Sequence, residues 1–322
     1  MYYIGIDIGG MSIKGGLVDE NGVVYAKKSV VTKADAHYSV IVKDIADLCI
    51  ALVEEKGLTK EDITAVGMGI PGTINSKTGI ITYANNINFE KVPIVKEFRK
   101  YIDVPTFIGN DANVAALGEQ RFGAGKGYND VIVVTLGTGI GSGIIVDGTL
   151  LEGKAGAGAE GGHIGLKVGG EPCSCGKRGC WEAYASATAL IRQTKRAIER
   201  NPQSLMVKYA EEEGKVSGKT AFQAARDGDR AGQTVVNNYV RYVAEGIISL
   251  VNLFRPDVVL IGGGISNEGD YLMERIQRRV NRYSYGGHRN PRVLVKKAEL
   301  KNDAGMLGAV ALCFPANDKN DK

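Results

Sequence analysis

The stretch Val131–Gly143, VIVVTLGTGIGSG, is an apolar β-branched run that breaks at a glycine turn and then resumes. Val131–Leu136 reads as a buried strand, Gly137-Thr138-Gly139 as the turn, and Gly141–Val146 as the returning strand, closed by Asp147-Gly148. Sliding the chain by 128 residues carries Gly9 onto Gly137, Gly15 onto Gly143, Val18 onto Val146 and Asp19 onto Asp147. The apolar positions Ile6, Ile8 and Leu17 land on Val134, Leu136 and Ile145. Internal self-similarity is weighed before local pattern. Two copies of one strand–glycine turn–strand unit, each followed by helices, predict two related α/β lobes.

Outward from the repeat, Tyr3–Asp7, Lys14–Val18 and Val23–Lys27 read as an antiparallel meander. Ser39–Glu55 carries Ile41, Ile45, Leu48, Leu52 and Val53 at helical spacing, with Gly57 as a stop. Ile63–Ile70 is a strand ending at Pro71-Gly72, and Thr106–Ile108 a short strand before Gly109-Asn110-Asp111. Ala112–Phe122 reads as a helix. Asp229–Phe254 is a long amphipathic helix with Val236, Tyr239, Val243, Ile247, Leu250, Val251 and Phe254 on one stripe, ended by Pro256. Val258–Ile261 is a strand opening onto Gly262-Gly263-Gly264, Ala304–Leu312 a last helix, and Asn317–Lys322 a frayed tail.

Composition narrows the function classes. The 322 residues are 44% hydrophobic, enough for about two domains. A net charge of +4 does not suggest a nucleic-acid surface or a basic membrane anchor. No run approaches the ~20 apolar residues of a bilayer span. Tyr2-Tyr3 leads straight into the first strand, so neither a signal peptide nor a DNA-reading module is expected in front of it. Five cysteines, three of them within eight residues, fit reduced thiols in a cytoplasmic protein and a metal cluster better than disulfides.

The two glycine turns suit an anion, because glycine lets backbone N–H groups point at phosphate. A single such turn could be an ordinary hairpin; two in register, one headed by Asp7, could grip a nucleotide's phosphates. Asp7 could then hold Mg²⁺ through water. Gly262–Gly264 could pass under a nucleobase or ribose, although alone it is a loop. Asn110-Asp111 fits a helix N-cap. It also fits a carboxylate that accepts a hydroxyl proton during phosphoryl transfer, and the two roles are compatible.

His163, Cys173, Cys175 and Cys180 make a Cys₃His set, the donor set of a closed structural Zn²⁺ site with no open position for catalysis. Glu160 and Glu182 flank the cluster, so a metal would draw both carboxylates towards one pocket suited to vicinal hydroxyls. Each could equally be a surface glutamate, and Glu182 could serve the dipole of a helix start.

Together these motifs resemble the ROK family (repressors, open reading frames and kinases). Asp7-Ile-Gly-Gly and Leu136–Gly143 resemble its two phosphate loops, and Gly109-Asn-Asp-Ala-Asn-Val-Ala-Ala-Leu-Gly-Glu its catalytic segment. Glu160-Gly-Gly-His163 and Cys173-Ser-Cys-Gly-Lys-Arg-Gly-Cys-Trp-Glu182 match its zinc and sugar signature. Gly262-Gly-Gly-Ile-Ser resembles its adenosine loop, and Asp303-Ala-Gly-Met-Leu-Gly-Ala its C-terminal helix. The resemblance implies two RNase H-like (actin-like ATPase) lobes with a cleft between them. The smaller lobe would span 1–117, completed by helix 303–322, and the larger 118–302. Asp111 would be the catalytic base. Gly72, Asn110, Asp111, Glu160, His163 and Glu182 would bind the sugar. Asp7, Gly9, Gly10, Ser12, Lys14, Gly137, Thr138, Gly139, Gly263 and Gly264 would bind nucleotide. His163 would ligate zinc through one ring nitrogen and face the sugar with the other. Met11 stands where the first loop usually has Thr or Ser, and Ala159 where Gly is usual.

The implied activity is ATP-dependent phosphorylation of a hexose in glycolysis and carbohydrate metabolism, with glucose first. N-acetylmannosamine, N-acetylglucosamine, mannose and fructose are the competing substrates. The implied cofactors are structural Zn²⁺ and Mg²⁺ with ATP, and the implied assembly a homodimer or higher homo-oligomer. A sugar-responsive repressor and a silent sugar-binding protein are the rival classes. Asp111 and both phosphate loops argue against the silent one.

Overall fold

The computed structural model describes residues 1–84 and 86–314, so the tail expected at Asn317–Lys322 lies outside the described residues. The chain divides into two compact units. The first comprises Met1–Val131, Gly143–Ala159 and Glu299–Lys322, and the second Ile132–Ser142 and Glu160–Ala298.

The first unit opens with β1 (Tyr2–Ile8), β2 (Ser12–Asp19) and β3 (Val24–Val31), the antiparallel meander that the alternation predicts. Helix α1 (Tyr38–Glu54) follows and buries its whole predicted stripe. Gly57, at φ 67°, stops it: its N–H and that of Leu58 bond back to Glu54 and Val53 carbonyls. Strand β4 (Ile63–Ile70) lies parallel to β1. A small antiparallel sheet follows, made of β5 (Thr73–Asn75), β6 (Ile80–Ala84) and β7 (Phe89–Val92). Helix α2 (Ile94–Phe98) then leads to β8 (Thr106–Asn110), parallel to β4, and into α3 (Asp111–Phe122). The main sheet has the order β3-β2-β1-β4-β8.

The predicted repeat is present in the topology. Strands β9 (Val131–Leu136), β10 (Ile140–Val146) and β11 (Thr149–Leu150) turn back on one another. Helices α4 (Glu182–Ala185), α5 (Ala187–Arg200), α6 (Leu205–Glu212), α7 (Thr220–Arg226) and α8 (Arg230–Phe254) come next. Then follow β12 (Val258–Gly262), α9 (Asp270–Tyr283), β13 (Leu294–Lys297) and α10 (Ala304–Ala311). The second sheet is ordered β11-β10-β9-β12-β13, strand for strand the order of the first. In both, an antiparallel outer pair (β2/β3, β10/β11) is matched by a parallel pair at the other edge (β4/β8, β12/β13). In α8 the expected first residue, Asp229, is instead the N-cap, accepting from the Gly232 N–H at 2.7 Å. Of the predicted stripe, only Phe254 is not fully buried.

Helix α10 belongs to the first unit, and glycines in its sheet let the helix lie close against the strands. A Cβ at Gly5 would strike the Met306 carbonyl, one at Gly67 the Ala309 carbonyl, and one at Gly16 the Met306 sulfur. On its other side α10 meets α3, where a Cβ at Gly308 would strike the Val114 carbonyl. The expected boundary after residue 117 falls within α3, whose packing on α10 keeps the helix whole, and the unit runs on to Val131.

Glu119, 1% exposed, fastens the returning chain to α3. Its Oε2 accepts from the N–H groups of Ala124 (3.1 Å) and Glu299 (3.1 Å), and its Oε1 from Leu300 (2.8 Å). Removing the carboxylate leaves three N–H donors without it, and each charge-assisted bond is worth about 1.5–3 kcal/mol. Glu119→Ala is therefore expected to destabilise the protein by about 3 kcal/mol or more. Glu299→Ala, which removes only an exposed side chain, should stay within about 0.5 kcal/mol of the parent in chemical denaturation.

Candidate active site

The candidate site residues fall into two sets, each held within one unit. In the first, Asp7 stands near the end of β1, in register with Lys14 on β2 and Gly69 on β4. Its carboxylate lies over the first turn of α10: a Cβ at Gly305 would fall 2.7 Å from the Asp7 Cγ. A helix N-terminus favours a negative charge there. Burial nevertheless pushes the Asp7 pKa above the ordinary carboxylate value; Lys14 pulls it down and Asp111 pushes it up again. The effect of Asp111 on Asp7 places the two carboxylates in one electrostatic neighbourhood.

Asp111 begins α3. Its Oδ1 accepts from the Ala112 N–H at 2.9 Å. The residue keeps an exposed surface, but protein crowds the carboxyl over the longer range that governs solvation. This desolvation pushes its pKa up, against the pull of the Ala112 and Asp111 N–H groups and the Asn110 amide. Asn110 is the N-cap, with Oδ1 accepting from Ala112 (3.0 Å) and Asn113 (3.3 Å). Its Nδ2 donates to the Gly72 carbonyl at 3.0 Å, which joins Asn110 to Gly72. Gly72 has φ 107°, and a Cβ there would strike the Tyr83 carbonyl, so the turn admits only glycine.

The first glycine turn closes with the Gly9 N–H on the Ser12 carbonyl at 3.0 Å. Thr32, which the sequence does not single out, buckles it: its hydroxyl donates to the Gly9 carbonyl (2.6 Å) and its N–H to the Met11 carbonyl (3.1 Å). Gly10 abuts Asn86. The Met11 side chain is 88% exposed, so it takes no part in holding the turn.

In the second set, the Gly137 N–H bonds to the Gly139 carbonyl at 3.0 Å, a closure one residue shorter than in the first turn. Helix α5 braces this turn through the Ala187 N–H on the Gly137 carbonyl (2.8 Å) and the Thr188 hydroxyl on the Thr138 carbonyl (2.8 Å). Gly263, at φ 81°, lies against the Leu136 carbonyl, which brings the third glycine turn to the root of the second; Gly264 faces open space.

His163, Cys173, Cys175 and Cys180 place their ligand atoms within 4.8 Å of one another. A tetrahedral zinc with sulfur at about 2.3 Å and nitrogen at about 2.0–2.1 Å requires S···S edges of about 3.8 Å and S···N edges of about 3.6 Å. Cys175 Sγ lies 3.7 Å from Cys180 Sγ, and His163 Nδ1 lies 3.5 Å from Cys173 Sγ. The donors present therefore fit zinc. Trp181, fully buried, anchors this knuckle to α8: its Nε1–H donates to the Tyr242 carbonyl at 2.8 Å, and Gly246 gives the indole room. Glu160 is exposed and precedes the 3-10 turn Gly161–His163, with the His163 N–H on its carbonyl. Ala159 has φ 62°, which explains why a glycine suits that position.

Glu182 links the two features of the second set. Its Oε2 accepts from the Ile140 N–H at 2.9 Å, directly after the glycine turn, and a Cβ at Gly139 would strike it. Its Oε1 accepts from the Ser174 hydroxyl at 3.3 Å, inside the cysteine knuckle. The carboxylate is thus already engaged on both sides.

The chain belongs to the ROK family, whose pattern matches residues 3–315. It is 37% identical over 312 residues to a glucokinase of Streptomyces coelicolor, covering 96% of each chain. Among solved structures it is similar to a ROK family glucokinase from Streptomyces griseus in complex with glucose and AMPPNP (36% identity, TM-score 0.79, 97% of this chain and 99% of that one). It is also similar to a ROK hexokinase from Thermus thermophilus (32% identity, TM-score 0.81, 97% of each chain). Its mixed α/β sheets are those of the actin-like ATPase fold, as the resemblance implied. No helix among the described residues is long and apolar enough to cross a membrane.

Glu182→Ala should raise amide exchange at Ile140 by about ten- to a hundredfold, the value of one charge-assisted bond. Ser12, the matching position in the first turn, should be unchanged.

Proposed function

We propose that this chain transfers the γ-phosphoryl group of ATP to glucose, giving glucose 6-phosphate and ADP. The observation that carries the reading is the carboxylate pair at the end of β1 and the start of α3, Asp7 and Asp111, beside a glycine turn, in a chain similar along its length to glucokinases. Asp111 takes the proton of the attacking sugar hydroxyl. That oxygen forms its bond to the γ-phosphorus as the bond from phosphorus to the β–γ bridging oxygen breaks, and ADP departs with the pair. A base with a raised pKa is better matched to this task than an ordinary aspartate. Mg²⁺ with ATP would supply neutralisation of phosphate charge, with Asp7 holding its water shell.

The backbone N–H groups of Gly10, Ser12, Thr138 and Gly139 cradle phosphates, Gly9 and Gly137 shape the two turns with N–H groups already bonded to the Ser12 and Gly139 carbonyls, and Lys14 near Asp7 adds charge. Gly263 and Gly264 lie under the nucleoside. Gly72, Asn110, Glu160, His163 and Glu182 bind sugar hydroxyls. His163 turns Nδ1 to the cysteines, which leaves Nε2 for a hydroxyl. Zinc held by His163, Cys173, Cys175 and Cys180 would be structural, since four protein ligands leave no open position.

Three outcomes test this. ADP release should require a hexose, with glucose giving the highest kcat/KM against mannose, fructose, N-acetylglucosamine and N-acetylmannosamine. Turnover independent of sugar would refute the kinase reading. Asp111→Asn should lower kcat by about 10²–10⁴-fold. The acid limb of the parent's kcat should disappear with it, because activity is lost as pH falls through the raised pKa of Asp111. The same variant should be more stable than the parent at neutral pH. A carboxyl whose pKa is raised by folding binds its proton more tightly in the native state. Stability therefore falls as pH rises from about 3.9 through the raised value, and Asn escapes that loss. Purified protein should carry about one zinc per chain. Metal-free protein with unchanged glucose affinity would contradict the structural role.

A further inference from the structure

In each glycine turn two carbonyls are held from behind by a short stretch of chain that carries a threonine. In the first turn Thr32 holds both. Its hydroxyl donates to the Gly9 carbonyl at 2.6 Å and its N–H to the Met11 carbonyl at 3.1 Å. In the second, both bonds come from the start of α5. The Ala187 N–H donates to the Gly137 carbonyl and the Thr188 hydroxyl to the Thr138 carbonyl, each at 2.8 Å. Ser186 caps that helix through the Ala189 N–H, which leaves the Ala187 N–H for the turn.

A planar trans peptide points the carbonyl of one residue and the N–H of the next in opposite directions. Holding the Gly9 and Met11 carbonyls towards Thr32 therefore turns the Gly10 and Ser12 N–H groups away from it. Holding the Gly137 and Thr138 carbonyls towards α5 turns the Thr138 and Gly139 N–H groups away from that helix. Each turn thus presents two donors on the side opposite its threonine, which suits an anion. In the first turn side chains add little. Gly9 and Gly10 have none and Met11 carries no polar group, so its donors are backbone N–H groups and the Ser12 hydroxyl. We propose that Thr32 and Thr188 are positioning residues, one for each turn, whose bonds to the turn carbonyls aim backbone N–H groups at the phosphates of the nucleotide. The proposal rests on the reading of both turns as phosphate cradles. Each threonine acts through its turn, fixing the donors before the nucleotide arrives. Thr32 has the larger share, because it is only 8% exposed and holds two carbonyls, whereas Thr188 is exposed and holds one.

The test is steady-state kinetics of the whole protein, with ATP and glucose varied in turn, for Thr32→Val, Thr32→Ser and Thr188→Val. Valine keeps the shape of threonine and removes the hydroxyl. KM for ATP should rise about two- to tenfold in each valine variant, the worth of one neutral hydrogen bond, and more in Thr32→Val than in Thr188→Val. KM for glucose should stay at the parent value. Thr32→Ser, which restores the donor, should return KM for ATP to that of the parent. A purely structural role would lower the melting temperature without separating the two substrates. Unchanged KM for ATP in both valine variants, an equal rise for both substrates, or Thr32→Ser behaving as Thr32→Val would overturn the inference and leave the kinase reading standing. A parent without hexose-dependent turnover would remove both. Where Thr32→Val does not fold, amide exchange in the parent decides. Slowing at Gly10, Ser12, Thr138 and Gly139 on addition of AMPPNP supports the aim of those N–H groups, and slowing only elsewhere overturns it.

Discussion

The first unit depends on how closely α10 can lie against the sheet. Gly5 on β1 and Gly67 on β4 let the helix backbone rest on the strands themselves, and Gly308 lets it rest on α3. This contact puts the first turn of α10 over the Asp7 carboxylate and fixes where α3 begins. Asp111 is the first residue of α3, so its position relative to Asp7 follows from the same packing. Both carboxylates are held where burial raises their pKa values. The unit therefore gives up some stability at neutral pH at the point where the proposed reaction needs a general base.

The second unit solves a different problem. From Ile164 to Trp181 only Gly179, Cys180 and Trp181 are buried, so this segment cannot hold its shape by an apolar core. The Cys₃His cluster and the Trp181 anchor supply what the core does not. Glu182 then passes that order to the glycine turn through the Ile140 N–H. The cysteine knuckle and the second glycine turn are thereby joined through one carboxylate, which accounts for the cysteines, the single tryptophan and the glutamate lying so close in sequence.

Much of this was legible in the sequence, for identifiable reasons. The hairpins, α1 and α8 are long and strongly periodic, and their ends came within a residue or two because Gly57, Pro256 and the caps punctuate them. The repeat between residues 9–19 and 137–147 is present as the matched order of the two sheets. The Cys₃His set was readable because its spacing is local. The sheet β5-β6-β7 was not, since strands of three to five residues carry too little alternation. Contacts made across the chain were also hidden: Glu119 with Leu300, Thr32 with Gly9, and Trp181 with Gly246. The partners of Glu182 belong to this class, as Ile140 lies 42 residues away. Residue types announced Asn110 as a cap, but its hold on Gly72 required the fold.

In the proposed reaction Asp7, Asp111 and the two glycine turns serve direct transfer from nucleotide to sugar. Phosphorus NMR of the protein with ATP, Mg²⁺ and glucose reads that transfer. A glucose 6-phosphate resonance growing one-for-one with ADP, with no early free phosphate, is expected. ADP accumulating with inorganic phosphate and no sugar ester would contradict it.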